Sequence, residues 1–401
     1  MLALFLIIVV DLIGFGIIIP LLPFYGEHFK ATPETVGLLM ATYSFAQFFA
    51  APLWGRLSDR IGRRPVLLTG LAGAALAYCW LAFSDSLWML FAARAVGGLM
   101  AGNIGAAFAY AADVTTPENR AKGMGVVGAA FGIGFVIGPA IGGILAGPDP
   151  LAADYRSPAL AAAGLSVVAL LLSLVRLPES LAPETRAALA AAPRQSRLAQ
   201  FAQALNRPGV GRLMLIGFLA TFVFAGLETT FAMWSRRAFG WGPEQNGWLF
   251  AYIGIVSAAI QGGLMGRLSR WFGEQGLIRQ GAVTLAIGIG AIPFCNEIWQ
   301  LMAAMTVAGY GFSVINPAFN SLISNAVAAT DQGGAMGVTR SVTTAARVLG
   351  PAWAGVLFAS MGRDWPYFNG AVVMVVVLLL ALTGLNGTQG AAPPKGDQRG
   401  D

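Results

Sequence analysis

Apolar runs of the length that crosses a bilayer, roughly 20 residues, follow one another along this 401-residue chain with only short polar interruptions. Hydrophobic residues make up 56% and charged ones 11%, against about a quarter charged in a soluble domain. A soluble core of this size still needs a charged surface, and here the charges crowd into short loops. The expectation is an all-α polytopic membrane protein. Leu2 to Phe24 lacks a basic leading segment and a small-residue cleavage site, so it reads as a retained helix.

Twelve spans are expected, near residues 2–25, 36–57, 66–83, 87–112, 123–146 and 158–176, then 211–235, 246–266, 277–295, 298–325, 335–359 and 366–386. The two sets of six are related by sequence. Gly55-Arg56-Leu57-Ser58-Asp59-Arg60-Ile61-Gly62-Arg63-Arg64 follows one span, and Gly266-Arg267-Leu268-Ser269-Arg270-Trp271-Phe272-Gly273 follows another 211 residues later. Gly138-Pro139 recurs as Gly350-Pro351 after 212 residues. So long a period is a duplicated half, which in a hydrophobic chain points to a two-halved transporter with its site between the halves. The halves are taken as residues 1–176 and 211–386. The stretch 177–210 carries Pro178, Pro183, Pro193 and Pro208 and reads as the linker. Residues 387–401 read as a disordered tail.

Placing both termini in the cytoplasm puts 17 of the 25 basic residues on that side and five outside, namely Lys30, Arg156, Arg236, Arg237 and Arg363. This satisfies the positive-inside rule and accounts for the net charge of +6 through contact with anionic lipid rather than nucleic acid. Cys79 and Cys295 read as small core residues, and a single histidine, His28, cannot assemble a metal site or a relay. No metal and no cofactor are expected.

Few ionisable residues sit well within the spans: Asp11 and Glu228 among the acids, Arg94, Arg340 and Arg347 among the bases. A charge at the bilayer centre costs about 2.5–3.5 kcal/mol on insertion scales, so each such residue is a functional candidate unless it serves a structural ion pair. Asp11 lies near the middle of span 1 and Arg94 at a similar depth in span 4. If that pair breaks and re-forms, Asp11 can hold and release a proton, while Arg94 keeps its charge and acts as the electrostatic switch. Asp11, Arg94 and Glu228 are the proton-coupling candidates. Arg347, near the Gly350-Pro351 break, reads as structural.

The chain resembles the major facilitator superfamily, and within it the twelve-helix drug/proton antiporters close to the tetracycline-efflux group. Gly55 to Val66 is similar to that superfamily's loop 2–3 motif. Arg94-Ala95-Val96-Gly97-Gly98 resembles its span 4 motif. Gly134 through Gly143, with Gly138, Pro139 and Gly142, is similar to the span 5 antiporter motif. Asp11-Leu12-Ile13-Gly14-Phe15-Gly16 resembles the start of tetracycline exporters, as does Ser86-Leu87-Trp88-Met89-Leu90. Asp59 can face a helix N-terminus, where the dipole favours an anion, and Arg60, Arg63 and Arg64 can partner Asp113. The resemblance implies that Gly55, Asp59, Arg60, Gly62, Arg63, Arg64 and Asp113 form a cytoplasmic latch that holds the two halves together. Arg270 stands where the second copy would need an acid, so that latch should be weaker. Small residues in the span 5 motif permit close helix approach, as a hinge or seal.

A substrate site between the halves draws its candidates from Phe15, Tyr43, Gln47, Asn103, Phe224, Glu228, Phe231, Trp234, Gln261, Asn316, Asn320 and Arg340, with Glu228 positioned to meet a cationic substrate. Tetracycline exporters carry an acid in span 3, where this chain has Ala77, one in span 9, where Thr284 to Gly288 offers none, and a span 8 histidine that is lacking here. The expected activity is proton-coupled antiport of amphipathic drug-like molecules by alternating access, across a bacterial inner membrane. The partners are substrate, protons and lipid, and a monomer suffices. A proton-coupled uptake symporter for a sugar or metabolite is the alternative, with the span 5 motif favouring export. No constellation suggests an enzyme.

Overall fold

A computed structural model of the chain describes residues 2–101, 103–116, 119–191, 209–327 and 332–384; most of the expected linker and the whole expected tail lie outside these. Among the described residues there are helices and no strands, and 11 stretches are long and apolar enough to cross a membrane. One of these, Pro243–Phe294, has 52 residues, about 78 Å at the rise of a helix, twice what a bilayer needs. It divides at Gly273, whose φ of 65° interrupts the helix, and so gives two spans. The twelve spans are therefore Leu2–His28, Pro33–Ile61, Arg63–Ala82, Leu87–Asp113, Arg120–Ala146, Arg156–Arg176, Val210–Phe239, 243–272, 274–294, Ile298–Asn325, Gln332–Met361 and Trp365–Gly384.

Two spans expected to be continuous are broken. Span 1 is interrupted around Pro20, which has no N–H to donate, and resumes as Leu22–His28. Span 4 breaks between Met100 and Asn103. Span 8 contains a π-helical turn, Ile260–Leu264. Gly62 (φ 108°) joins spans 2 and 3 as Gly273 joins spans 8 and 9. The two related loop glycines thus occupy backbone conformations that side chains rarely adopt. Exposed Trp88, Trp271, Trp299 and Trp365 stand at span ends, where amphipathic rings favour the membrane interface.

The halves meet through two related crossings. In span 5, an added Cβ on Gly134, Gly138 or Gly142 would run into the backbone of Leu12, Gly16 or Ile17 of span 1, and one on Gly143 into Pro243 and Glu244 of span 8. Gly247 of span 8 faces the Pro139 carbonyl and Gly143 in return. The same arrangement recurs with the halves exchanged. Gly350 of span 11 lies on Phe222 of span 7, Gly355 on Pro33 and Glu34 of span 2, and Gly37 of span 2 on the Pro351 carbonyl and Gly355. Pro33-Glu34-Thr35-Val36-Gly37 thus corresponds to Pro243-Glu244-Gln245-Asn246-Gly247, 210 residues on. This second element of the repeat escaped the sequence reading.

Both crossings sit toward the end of the bundle that carries Gly240. There Glu244 N donates to Gly147 O (3.2 Å), and Glu27 of span 1 pairs with Arg236 (2.9 Å) and Arg237 (3.1 Å) of span 7. Toward the opposite, Gly62 end the same spans diverge. Added Cβ atoms on Gly125, Gly128 and Gly132 of span 5, Gly262 and Gly263 of span 8, or Gly334 and Gly337 of span 11 would meet nothing within 4 Å among the described residues. Among the described residues, the cleft between the halves is closed at the Gly240 end and opens at the Gly62 end.

The loop 2–3 cluster is assembled within one half. Arg63, buried, bridges Asp59 (2.7 Å) and Asp113 (3.2 Å), and Ser180 Oγ also donates to Asp113. Asp59 lies just before the start of span 3. It occupies the last turn of span 2 and is held there by Arg63. The anion at the start of span 3 is Glu179, whose carboxylate accepts from the Arg63 (2.8 Å) and Arg64 (3.1 Å) backbone N–H groups. Arg64 reaches the Leu174 carbonyl rather than Asp113, and Arg60 is exposed. Gly55 has open space around it, while an added Cβ on Gly62 would strike the Glu179 carboxylate. After Glu179 a short helix, Pro183–Ala191, packs on span 2. Across the membrane, Asp154 starts span 6 by accepting from Ser157 Oγ and from the Ser157 and Arg156 N–H groups; the hydroxyl bond foremost holds its carboxyl below the usual range.

Two outcomes follow from these contacts. Glu179→Ala removes the span 3 cap, worth about 0.5–2 kcal/mol, and should lower the thermal midpoint of purified protein by a few degrees. Glu179→Gln, which keeps one acceptor, should lose less; equal midpoints for all three proteins would remove the cap from the account. Gly355→Leu should force spans 2 and 11 apart. In a background with Cys79 and Cys295 replaced by serine, a cysteine at fully buried Val36 should then react faster with a maleimide while the protein still elutes as one species. Unchanged labelling would show that this crossing does not hold the end shut.

Candidate functional site

The N-terminal half contains a cavity with an empty volume of about 550 Å³ including its mouth, lined by Asp11 and Phe15 of span 1, Tyr43 of span 2, Ala77 and Tyr78 of span 3, and Arg94 of span 4. Each wall has a physical origin. Gly98 packs on the Tyr43 backbone and Gly97 on its ring, bringing span 4 close to span 2. The break in span 4 ends in the cavity wall at Ala101, whose carbonyl accepts from Gln47 Nε2 (3.4 Å). Discontinuous helices at membrane depth are tolerated where they line a cavity. Gln47 therefore serves the broken backbone.

Arg94 is 6% exposed. Its guanidinium carbon lies 4.4 Å from the centre of the Tyr43 ring, a cation–π contact worth about 2 kcal/mol when desolvated, and its Nε has no hydrogen-bond partner among the described residues. Phe15 packs on the other side of Tyr43, 5.3 Å between ring centres. Asp11 and Arg94, expected to lie at similar depth, share this one cavity. Tyr78, between them and the apolar core, was not singled out from sequence; nothing distinguishes a lining tyrosine from a packing one before the helices are assembled.

Across the cleft, Glu228 of span 7 is buried and pairs with Arg347 of span 11 at 3.7 Å. Its carboxylate thus has a cation of its own half beside it. Arg347 is the structural partner that its place beside Gly350-Pro351 suggested. Arg340, about two turns from Arg347 along the same face of span 11, reaches to span 4 of the other half, its guanidinium carbon 4.9 Å from the Phe108 ring centre.

The remaining candidates divide. Phe231 and Trp234 are 0% and 1% exposed and belong to the C-terminal core rather than to the cleft. Phe231 packs on Phe250, and Trp234 donates its indole N–H to Asp364 (2.8 Å). Span 7 is enclosed from Ala225 to Ser235 because spans 11 and 12 pack along it. Phe224 stacks on Phe312 with ring centres 3.7 Å apart. Asn320 donates its side-chain amide to the Asn316 carbonyl one turn earlier (2.9 Å). Gln261 is exposed on the π-helical turn. Asn103 opens the second piece of span 4, and its side chain lies outside the described residues.

The description of the Major Facilitator Superfamily matches residues 4–292 and 277–400. Tetracycline resistance protein, class C, from Escherichia coli is 31% identical over 377 residues, covering 92% of this chain and 93% of that protein. Multidrug resistance protein 2 from Bacillus subtilis (strain 168) is 29% identical over 376 residues, covering 94% and 92%. The crystal structure of the human organic anion transporter MFSD10 superposes with a TM-score of 0.72 at 27% identity, covering 94% of this chain and 98% of that one. With its twelve spans, duplicated halves and intervening cleft, the chain belongs to the Major Facilitator Superfamily and is an integral membrane transporter, not an enzyme.

Proposed function

We propose that the protein exports amphipathic organic molecules from a bacterial cytoplasm in exchange for protons, by alternating access, with both termini inside the inner membrane. The observation that carries the reading is the placement of Asp11 and Arg94 in one intramembrane cavity beside a cleft that is closed at one end and open at the other. The open end bears Arg56, Arg60, Arg63 and Arg64, which assigns it to the cytoplasm by the positive-inside rule. The halves are residues 1–176 and 211–386, joined by 177–210, and one chain suffices for the cycle.

In this state a molecule enters from the cytoplasm. The two glycine crossings and the Glu27 clamp bar the outside. Asp11 exchanges its proton with the exposed cavity. Arg94 lines the same cavity, so the two side chains can associate and part during the cycle. Closing the cytoplasmic end brings the Asp59–Arg63–Asp113 cluster against the opposite half, and the crossings part. A relative named for tetracycline resistance, one named for multidrug resistance and one described as an organic anion transporter together support a broad class of amphipathic organic substrates rather than sugars.

Asp11→Asn keeps the side chain's shape but cannot exchange a proton. In inverted vesicles tested with a panel of fluorescent drugs, gradient-driven accumulation should fall to the passive rate, while substrate binding to purified protein persists. Accumulation by Asp11→Asn against a gradient would remove Asp11 as the proton carrier. Accumulation that requires a proton gradient of the opposite sense would replace exchange with co-transport.

A further inference from the structure

We propose that Arg340, on its shelf of Phe108 and Phe131, is a subsite for the acidic group of an aromatic organic anion. This rests on the transporter reading of the cleft and adds the charge and shape of the substrate.

The charges well inside the spans are two acids and three bases, one base in excess. Asp11 and Arg94 occupy one cavity. Glu228 and Arg347 form an ion pair. Arg340 is left over. The charged group that acts on it among the described residues is Arg347, another cation. A guanidinium at membrane depth with only a like charge for company is unfavourable until an anion joins it.

The surroundings specify what kind of anion. The Arg340 guanidinium lies over Phe108, and Phe108 is stacked on Phe131, with ring centres 6.4 Å apart and planes within 17°. Contact with a ring uses the flat face of a guanidinium and leaves its in-plane N–H fork for a carboxylate or sulfonate, which it can grip through two parallel bonds. The two phenyl rings offer a flat apolar surface for the body of the same ligand. The Arg340 side chain is exposed, and the ring it covers belongs to the opposite half. Residues of spans 4, 5 and 11 build the subsite, so an anion held there touches both halves of the transporter.

The test compares three probes of one shape: 2-naphthoate, neutral 2-naphthamide and cationic 2-naphthylmethylammonium. Their binding to the purified full-length protein in lipid nanodiscs is followed by naphthalene fluorescence. The naphthoate should bind at least about tenfold more tightly than the amide, the scale of one charge-assisted hydrogen bond, and the ammonium most weakly. Arg340→Gln should abolish that preference; Arg340→Lys should keep part of it, since charge remains without the fork. Phe108→Ala should weaken the naphthoate and the amide alike. Because the preference is a ratio within each variant, Arg340→Met replaces Arg340→Gln if the latter does not fold. Equal binding of the three probes, a preference for the ammonium, no binding, or a naphthoate preference that survives loss of Arg340 overturns the subsite. Proton-driven efflux of a cationic dye by a protein without naphthoate preference would leave the exporter reading standing and the subsite lost. Naphthoate held through Arg340 by a protein that moves no probe in energised vesicles would do the reverse.

Discussion

Backbone touching backbone is the contact on which this structure depends. Lipid tails are as apolar as leucine, so burying leucine against leucine gives neighbouring helices little reason to associate inside a membrane. Dispersion across a closely fitted surface has to supply much of the attraction, and it falls away within an ångström of lost fit. Glycine at 16, 37, 138, 143, 247 and 355 lets helices approach until a carbonyl of one lies where the other's Cβ would be. Those that join the two halves through Gly37, Gly143, Gly247 and Gly355 lie toward one end of the bundle. Fit there and space elsewhere give the cleft its shape.

Ionisable groups follow a second constraint, that each must find a partner at membrane depth. Glu228 answers with Arg347, Arg63 with Asp59 and Asp113, and Arg94 with the face of Tyr43. The partners differ in permanence. The Arg63 cluster is locked by two carboxylates and by the Glu179 cap beside it, so it moves as part of a rigid block. Arg94 is held on a ring, with an N–H edge unbonded, in a cavity shared with an acid. Only the second kind of arrangement can change its bonding without dismantling a helix end.

Much of this was legible in the sequence, because the membrane reduces folding to a few strong signals. Span number followed from apolar run length, and the scarcity of internal charge picked out Asp11, Arg94, Glu228, Arg340 and Arg347 without reference to any contact. What failed did so for one physical reason: a hydrophobic helix has no polar face to reveal which side meets its neighbours. Phe231 and Trp234 looked as eligible for the cleft as Phe15 and Tyr43, and packing against spans 11 and 12 excluded them. The acid that caps the start of span 3 is Glu179, more than a hundred residues away and invisible to local pattern. The Pro-Glu-x-x-Gly repeat was readable but carries meaning only once its Gly-Pro partner is placed against it.

That repeat has a consequence for how such a chain could arise. Each half contributes one Pro-Glu-x-x-Gly element and one Gly-Pro-x-x-x-Gly element, and each element docks on the complementary one of the other half. The interface is therefore isologous in the sense used for homodimers: one surface, used twice, closing on itself about an approximate two-fold axis. A half-length polypeptide bearing both elements would already be self-complementary, with no unsatisfied surface to recruit a third copy. Fusion of two such units needs only a connecting segment and creates no new contact. It then frees the copies to diverge, as the loop 2–3 motif has done at Asp59 and Arg270 while the crossings kept their form.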